Sequence, residues 1–248
     1  MSRNATPASR RLSVALLLLA GLAALAVLLA LGTWQVQRLS WKEELIATID
    51  ERVASDPHSL EDIQTRLTST GDVDYWPITV GGTFHHEGER HFFATHKGRT
   101  GYFVYTPLEI EHGRFVLVNR GFVPFEQKDP ASRAEGQVEG WQVVTGLARN
   151  RLDAKPSFAV PDNDVPGNVF YWKDLDAMAS SSGVGAPGDY LGFFIDANDA
   201  PNPGGVPVGG VTIIEQPNSH LQYAVTWFGL AAALVGVMGV WLWRQRKP

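Results

Sequence analysis

The chain has 248 residues, a formal charge of −5 and no cysteine. Lacking thiols, it can have no disulfide, no thiolate nucleophile and no thiolate-ligated zinc or copper, so any ligand is expected to be met by nitrogen, oxygen or apolar surface. The acidic balance speaks against nucleic acid as a partner, because phosphate backbones are held by clustered cations.

The first predicted element is a membrane span. Leu12 to Trp34 carries no charged residue, and 23 residues at about 1.5 Å each cross a hydrocarbon layer of roughly 30 Å. Leu221 to Trp243 is equally free of charge. Backbone polar groups in lipid must be satisfied within the segment, so both runs are expected to be helices. Arg3, Arg10 and Arg11 precede the first run, and Arg244, Arg246 and Lys247 follow the second. By the positive-inside rule, residues 1–11 and 244–248 are cytoplasmic, and residues 35–220 form an extracytoplasmic domain. A bacterial plasma membrane is the simplest address. The competing reading is a secretory signal cleaved near Ala30 and Gly32, but the apolar run exceeds the roughly 7–15 residues usual for one. Gly229 with Ala233, and Ala232 with Gly236, are expected to let the two spans approach closely.

Beyond the first span, Trp34, Arg38, Trp41 and Leu45 recur at helical spacing, so the helix is expected to continue. Leu60 to Leu67 reads as a short second helix. From Trp76 onward, short β-rich runs alternate with turn residues. Strands are expected at Ile78–Val80, His91–Thr95, Tyr102–Ile110, Arg114–Asn119, Val143–Leu147, Phe193–Ile195 and Val211–Gln216. Glu111-His112-Gly113 is short enough for a hairpin, which makes the sheet mainly antiparallel. Asp174 is placed to cap a helix over Leu175–Ala179, and Ala197–Gly210, with its prolines and glycines, reads as a loop. The fold class is therefore a membrane protein whose two transmembrane helices, 12–34 and 221–243, flank a mainly antiparallel β (α+β) domain.

Candidate chemistry is sparse. There is no nucleophile elbow, Walker loop or Rossmann glycine pattern, so no catalytic residues are assigned and no enzyme is expected. His85, His86, His91 and His96 crowd one segment, yet no carboxylate or thiol completes a known ligand pattern; they are expected to be solvated strand and turn residues. In Asn119-Arg120-Gly121, Gly121 permits a bulge, and Arg120 is expected to project at a sheet end. His220 stands at the mouth of the second span and shares a helix face with Tyr223 and Trp227. It is either an interfacial anchor or a ligand to an apolar iron macrocycle. Arg38, between Trp34 and Trp41, either snorkels to the interface or receives a carboxylate.

Three segments together resemble the Surf (surfeit locus) family of cytochrome c oxidase assembly factors. They are Leu31-Gly-Thr-Trp-Gln-Val-Gln-Arg-Leu-Ser-Trp-Lys42; Thr106-Pro107-Leu108 with Val116-Leu-Val-Asn-Arg-Gly-Phe-Val-Pro124; and Pro217-Asn-Ser-His-Leu-Gln-Tyr-Ala-Val-Thr-Trp-Phe-Gly-Leu-Ala231. Phe170 to Met178 adds to the match, while Phe84 to Gly101 departs from the family's glycine-proline-arginine pattern. The resemblance implies assistance in maturing a haem-copper terminal oxidase where haem a reaches the catalytic subunit. It implies haem a as a transient cofactor, His220 as its iron ligand, and Tyr223, Trp227, Trp34 and Arg38 as the pocket wall. It implies the oxidase large subunit, haem a synthase and the lipid bilayer as partners. The alternative from another class is a membrane-anchored extracytoplasmic sensor or scaffold without cofactor.

Overall fold

The computed structural model describes residues 7–214 and 216–246. They fall into two compact units: a helical one drawn from Met1–Thr48 and Glu215–Pro248, and a β-rich one, Ile49–Ile214. The flanking cations Arg3 and Lys247 lie outside the described residues.

The helical unit contains most of α1 (Pro7–Val53) and all of α4 (His220–Arg246). Both are long and apolar enough to cross a membrane. Among their covered residues one row repeats every seven positions. Along α1 it runs through Val14, Leu18, Gly21, Leu25, Leu28, Gly32, Gln35, Leu39 and Lys42; along α4 it runs through His220, Ala224, Trp227, Ala231, Leu234 and Met238. Alternating steps of three and four define an antiparallel seam of the coiled-coil kind. A Cβ on Gly21 would overlap the Met238 side chain, and one on Gly32 would lie 2.8 Å from the Phe228 ring. The small residues that permit close approach are therefore Gly21 and Gly32, with Ala224 and Ala231 opposite. The expectation for the other small pairs is corrected: a Cβ on Gly229 or Gly236 meets nothing within 4 Å, and Ala232 and Ala233 are exposed. Gly32→Leu is expected to destabilise the helix pair by about 1–3 kcal/mol through overpacking. Thermal unfolding in detergent, followed by circular dichroism, measures this, with Gly229→Leu as a control that changes little.

The β-rich unit contains α2 (Leu60–Thr70), β1 (Pro77–Phe84), β2 (Arg90–His96), β3 (Arg99–Ile110), β4 (Arg114–Pro124), β5 (Trp141–Asn150), α3 (Leu175–Ser181) and β6 (Tyr190–Ala197). Helix α2 opens with a capping box between Ser59 and Asp62 and closes on left-handed Gly71, which satisfies otherwise orphaned end groups. Asp174 caps α3, as expected, by accepting from the Ala177 N–H at 3.0 Å. The strand order is β1-β5-β6-β4-β3-β2, and β1 also pairs with β3. Five strands thus close into a ring, with β2 outside it. All the pairings are antiparallel except β4 with β6, which is parallel. Closure depends on Gly82, where a Cβ would overlap the Glu109 carbonyl; a side chain there would hold β1 off β3.

The ring interior is apolar: every ring strand contributes, including Ile78, Leu108, Val116, Val118, Ala148, Phe193 and Ile195, and Ile63 of α2 packs with them. A second apolar cluster lies between β4, β6 and α3, with Phe115, Leu117, Phe170, Leu175, Met178 and Phe194. Since Val116 and Val118 face one cluster and Phe115 and Leu117 the other, β4 is buried on both faces, which accounts for its nearly continuous apolar run.

One expected strand is absent. Residues 211–214 and 216 are irregular, and Glu215 lies outside the described residues. The alternation there is real, since Val211 is buried and Ile213 exposed, but no ladder partner meets it. Instead Thr212 donates its hydroxyl to Asp196 at 3.0 Å.

Candidate functional site at the mouth of the helix pair

Asn218 starts α4 by accepting the His220 N–H at 3.3 Å. This puts the imidazole on the first turn of the helix and in the row of covered residues. Across the seam stands Gln35, only 8 % exposed. The His220 Nδ1–H donates to Gln35 Oε1 at 2.7 Å. One ring nitrogen is thereby fixed as the donor, and Nε2 carries the lone pair, the arrangement in which an imidazole ligates a metal. Among the described residues Nε2 has no hydrogen-bond partner. Two turns further along α1, Lys42 Nζ donates to Gln216 Oε1 at 2.9 Å.

Of the other expected site residues, Trp227 shares the seam row with His220 and is half-buried. Trp34 and Tyr223 stand off the seam, 50 % and 52 % exposed. Among the described residues no ring contact joins Trp34 to Tyr223 or Trp227. Arg38 is half-buried, its guanidinium 4.1 Å from the centroid of the Trp41 ring; of the two flanking tryptophans, Trp41 takes the cation–π contact. Sequence reasoning missed Gln35. It lies three residues after Gly32 and four before Leu39, so a search for the seven-residue repeat would have found it.

The β-rich unit holds a different polar site. Of the four clustered histidines His91 departs from the expectation of a solvated residue, being 4 % exposed, whereas His85, His86 and His96 are half-buried. At the centre is the buried Glu89, which accepts from Arg133 through both oxygens, at 3.1 and 2.6 Å. His86 Nδ1 and His91 Nε2 lie 3.8 and 3.7 Å from the same carboxylate. Burial opposes ionisation of Glu89, but the neighbouring histidine rings and Arg133 outweigh it and hold the carboxyl far below its ordinary value. Burial pushes the His91 imidazole down, so it is neutral. His85 lies elsewhere, bridging Glu109 at 2.7 Å and Glu87 at 3.1 Å. Among the described residues, no group of three or more metal-ligating side chains of the His, Cys, Asp and Glu type is found.

Arg120 also departs from expectation. It lies inside β4 rather than at a sheet end and is 3 % exposed. Its neighbour Asn119 donates to Asp196 at 2.9 Å and accepts from the Gly121 N–H at 3.1 Å, which ties the parallel β4–β6 pair together.

These observations define a class: a closed β domain flanked in the chain by two helices long and apolar enough to cross a membrane, with an oriented imidazole where their seam ends. The SURF1 family profile matches residues 22–232. Surfeit locus protein 1 of Rattus norvegicus is 37% identical over 225 residues, 84% of this chain and 70% of that protein. The Homo sapiens protein of the same name is 36% identical over 220 residues, 82% of this chain and 70% of its own length. A SURF1-like protein of Monosiga brevicollis is 36% identical over 234 residues, 89% and 84% respectively. The chain belongs to the SURF1 family.

Proposed function

We propose that this chain is an assembly factor for a haem-copper terminal oxidase, and that it holds haem a through His220 on the way to the catalytic subunit. Membership of the SURF1 family supports a role in cytochrome c oxidase assembly in general, as a factor rather than a catalyst. The observation that carries the haem reading is the bond from His220 Nδ1–H to Gln35 at 2.7 Å, which presents Nε2 as a ligand. Haem a would supply an iron that takes a nitrogen ligand, a farnesyl tail that partitions into lipid, and propionates that favour cations. Arg38 is a cation near this end of the seam on α1, Trp227 adds an aromatic wall beside His220, and Trp34 and Tyr223 offer exposed aromatic surface nearby on their helices. In this reading both termini are cytoplasmic, the β domain is periplasmic in a bacterial inner membrane, and the oxidase large subunit and haem a synthase are partners.

The test is a spectrum. The chain is purified in mild detergent from cells that make haem a. A haem band is expected in the parent and is lost in His220→Ala. Gln35→Leu, which leaves the imidazole unoriented, is expected to weaken haem binding by about 10–100-fold. No band at any haem supply overturns the haem reading and favours a scaffold or sensor without cofactor. A reporter fused at Asn150 checks orientation; a cytoplasmic signal defeats the periplasmic placement.

A further inference from the structure

Arg120 is a buried cation with no carboxylate beside it. One terminal nitrogen donates to the Gly136 carbonyl at 2.6 Å and to Asn202 Oδ1 at 3.0 Å. The other faces His86 Nδ1 at 3.4 Å. The His86 Nε2–H donates to the Val138 carbonyl at 2.9 Å, and Nδ1 faces the guanidinium as an acceptor. None of these partners is a carboxylate. Glu89, the nearby carboxylate, is taken through both oxygens by Arg133. Among the described residues no carboxylate lies within 4.0 Å of the Arg120 guanidinium. Two guanidinium groups against one carboxylate leave this buried cluster with a surplus of one positive charge. A guanidinium has five N–H donors. Three face the acceptors just named, while Nε–H and one NH1 proton have no partner among the described residues.

The same residue lines a cleft of about 170 Å³. Phe84, whose ring centroid is 4.8 Å from the guanidinium, lines it too, with Val144, Ala200 and Pro201 as apolar wall and Gln142 and Asn198 at its polar side. Asn198 uses its Oδ1 to accept from the Ala200 N–H, and its Nδ2 has no partner among the described residues. Burial lowers the guanidinium to about 10, so it stays charged at neutral pH. A buried charge left without its counterion is costly, and a planar guanidinium with free N–H donors matches a carboxylate.

We propose that this cleft is a binding site for a small organic monoanion, with the ligand's carboxylate on Arg120 and a short apolar stem against the aliphatic wall. A surplus of one charge suits a carboxylate better than a dianionic phosphate.

The full chain in mild detergent is titrated with sodium propionate at constant ionic strength, and binding is read by ligand-observed NMR. Saturable binding is expected. Arg120→Lys keeps the charge but loses the planar fork, and is expected to weaken binding at least tenfold. Because Arg120 is buried, a second variant guards against misfolding: Gln142→Glu, on a half-exposed side chain of the cleft wall, adds an opposing charge and is expected to weaken binding at least tenfold with the fold intact. No saturable binding, or equal affinity in parent and Gln142→Glu, overturns the site. Displacement of propionate by inorganic phosphate at lower concentration overturns the carboxylate assignment.

Discussion

Glu89→Ala is expected to destabilise the β domain by about 3–5 kcal/mol, the usual consequence of removing one partner from a buried ion pair. Arg133 would keep a guanidinium whose two bonds to Glu89, at 3.1 and 2.6 Å, had vanished. Urea denaturation of the full chain in detergent measures the loss. Replacing Glu89 and Arg133 together by apolar side chains is expected to recover part of it, since Arg133 is then no longer left as a guanidinium without its carboxylate, while Arg120 keeps its charge. The pH dependence follows from the same groups. Glu89 has a folded value depressed below its ordinary 4.5, so its contribution is complete above that pH and is lost as pH falls below it. His91 is also depressed, from an ordinary 6.5, so the unfolded chain takes up its proton first and stability falls as pH drops below that value. His85 is raised from 6.5 by its Glu109 and Glu87 partners, which outweigh burial; its contribution is present at lower pH and is lost as pH rises through its folded value. Acid unfolding should therefore begin with His91, offset in part by His85, and steepen once Glu89 titrates. Stability that does not change between pH 7 and pH 4 would refute this account.

Gly121→Ala is expected to cost roughly 2–6 kcal/mol, from about 1–3 for the backbone conformation and about 1–3 for two disrupted backbone bonds. Gly121 has φ +124°, and a Cβ there would overlap the Val208 carbonyl. That carbonyl accepts from the Phe122 N–H at 2.8 Å, and the Val208 N–H returns a bond to Phe122 at 2.9 Å, so the β6–α4 connection would have to lift away from β4. Gly140→Ala shares a positive φ of 73° but meets nothing within 4 Å. It isolates the conformational part and is expected to cost only about 1–2 kcal/mol. Equal losses in the two variants would show that the contact with Val208 is unimportant.

Much of this architecture was legible because it follows from short-range pattern. Two charge-free runs announced the apolar helices, β-rich runs bounded by turn residues announced six of the strands, and Asp174 announced α3. What failed was pairing information. Val211 to Gln216 has strand composition, but a strand requires an edge, and sequence alone does not reveal that β1 and β3 close the ring upon each other. The buried charge cluster was hidden for the same reason: Glu89 and Arg133 lie 44 residues apart, and nothing local to either marks it as paired. At the helix mouths the conspicuous aromatics, Trp34 and Tyr223, drew attention to faces that are exposed. The seam runs instead through inconspicuous residues such as Gly32, Gln35 and Ala224, because close helix approach selects small side chains. His220 was identifiable from its place at the start of α4, but its partner was not, since the pairing spans 185 residues.

The Gln35–His220 bond also acts as a detent. Along the apolar stretch of the seam, one turn of sliding would exchange one aliphatic contact for another, resisted only where Met238 and Phe228 lie over Gly21 and Gly32. At the mouth, the same slip would bring His220 opposite Leu31 or Leu39 and strand both polar groups, a penalty of about 1–3 kcal/mol for each unsatisfied one. The Lys42–Gln216 bond at 2.9 Å adds a second stop. Axial position along the pair is thus set at the polar end as well as at the two glycine contacts.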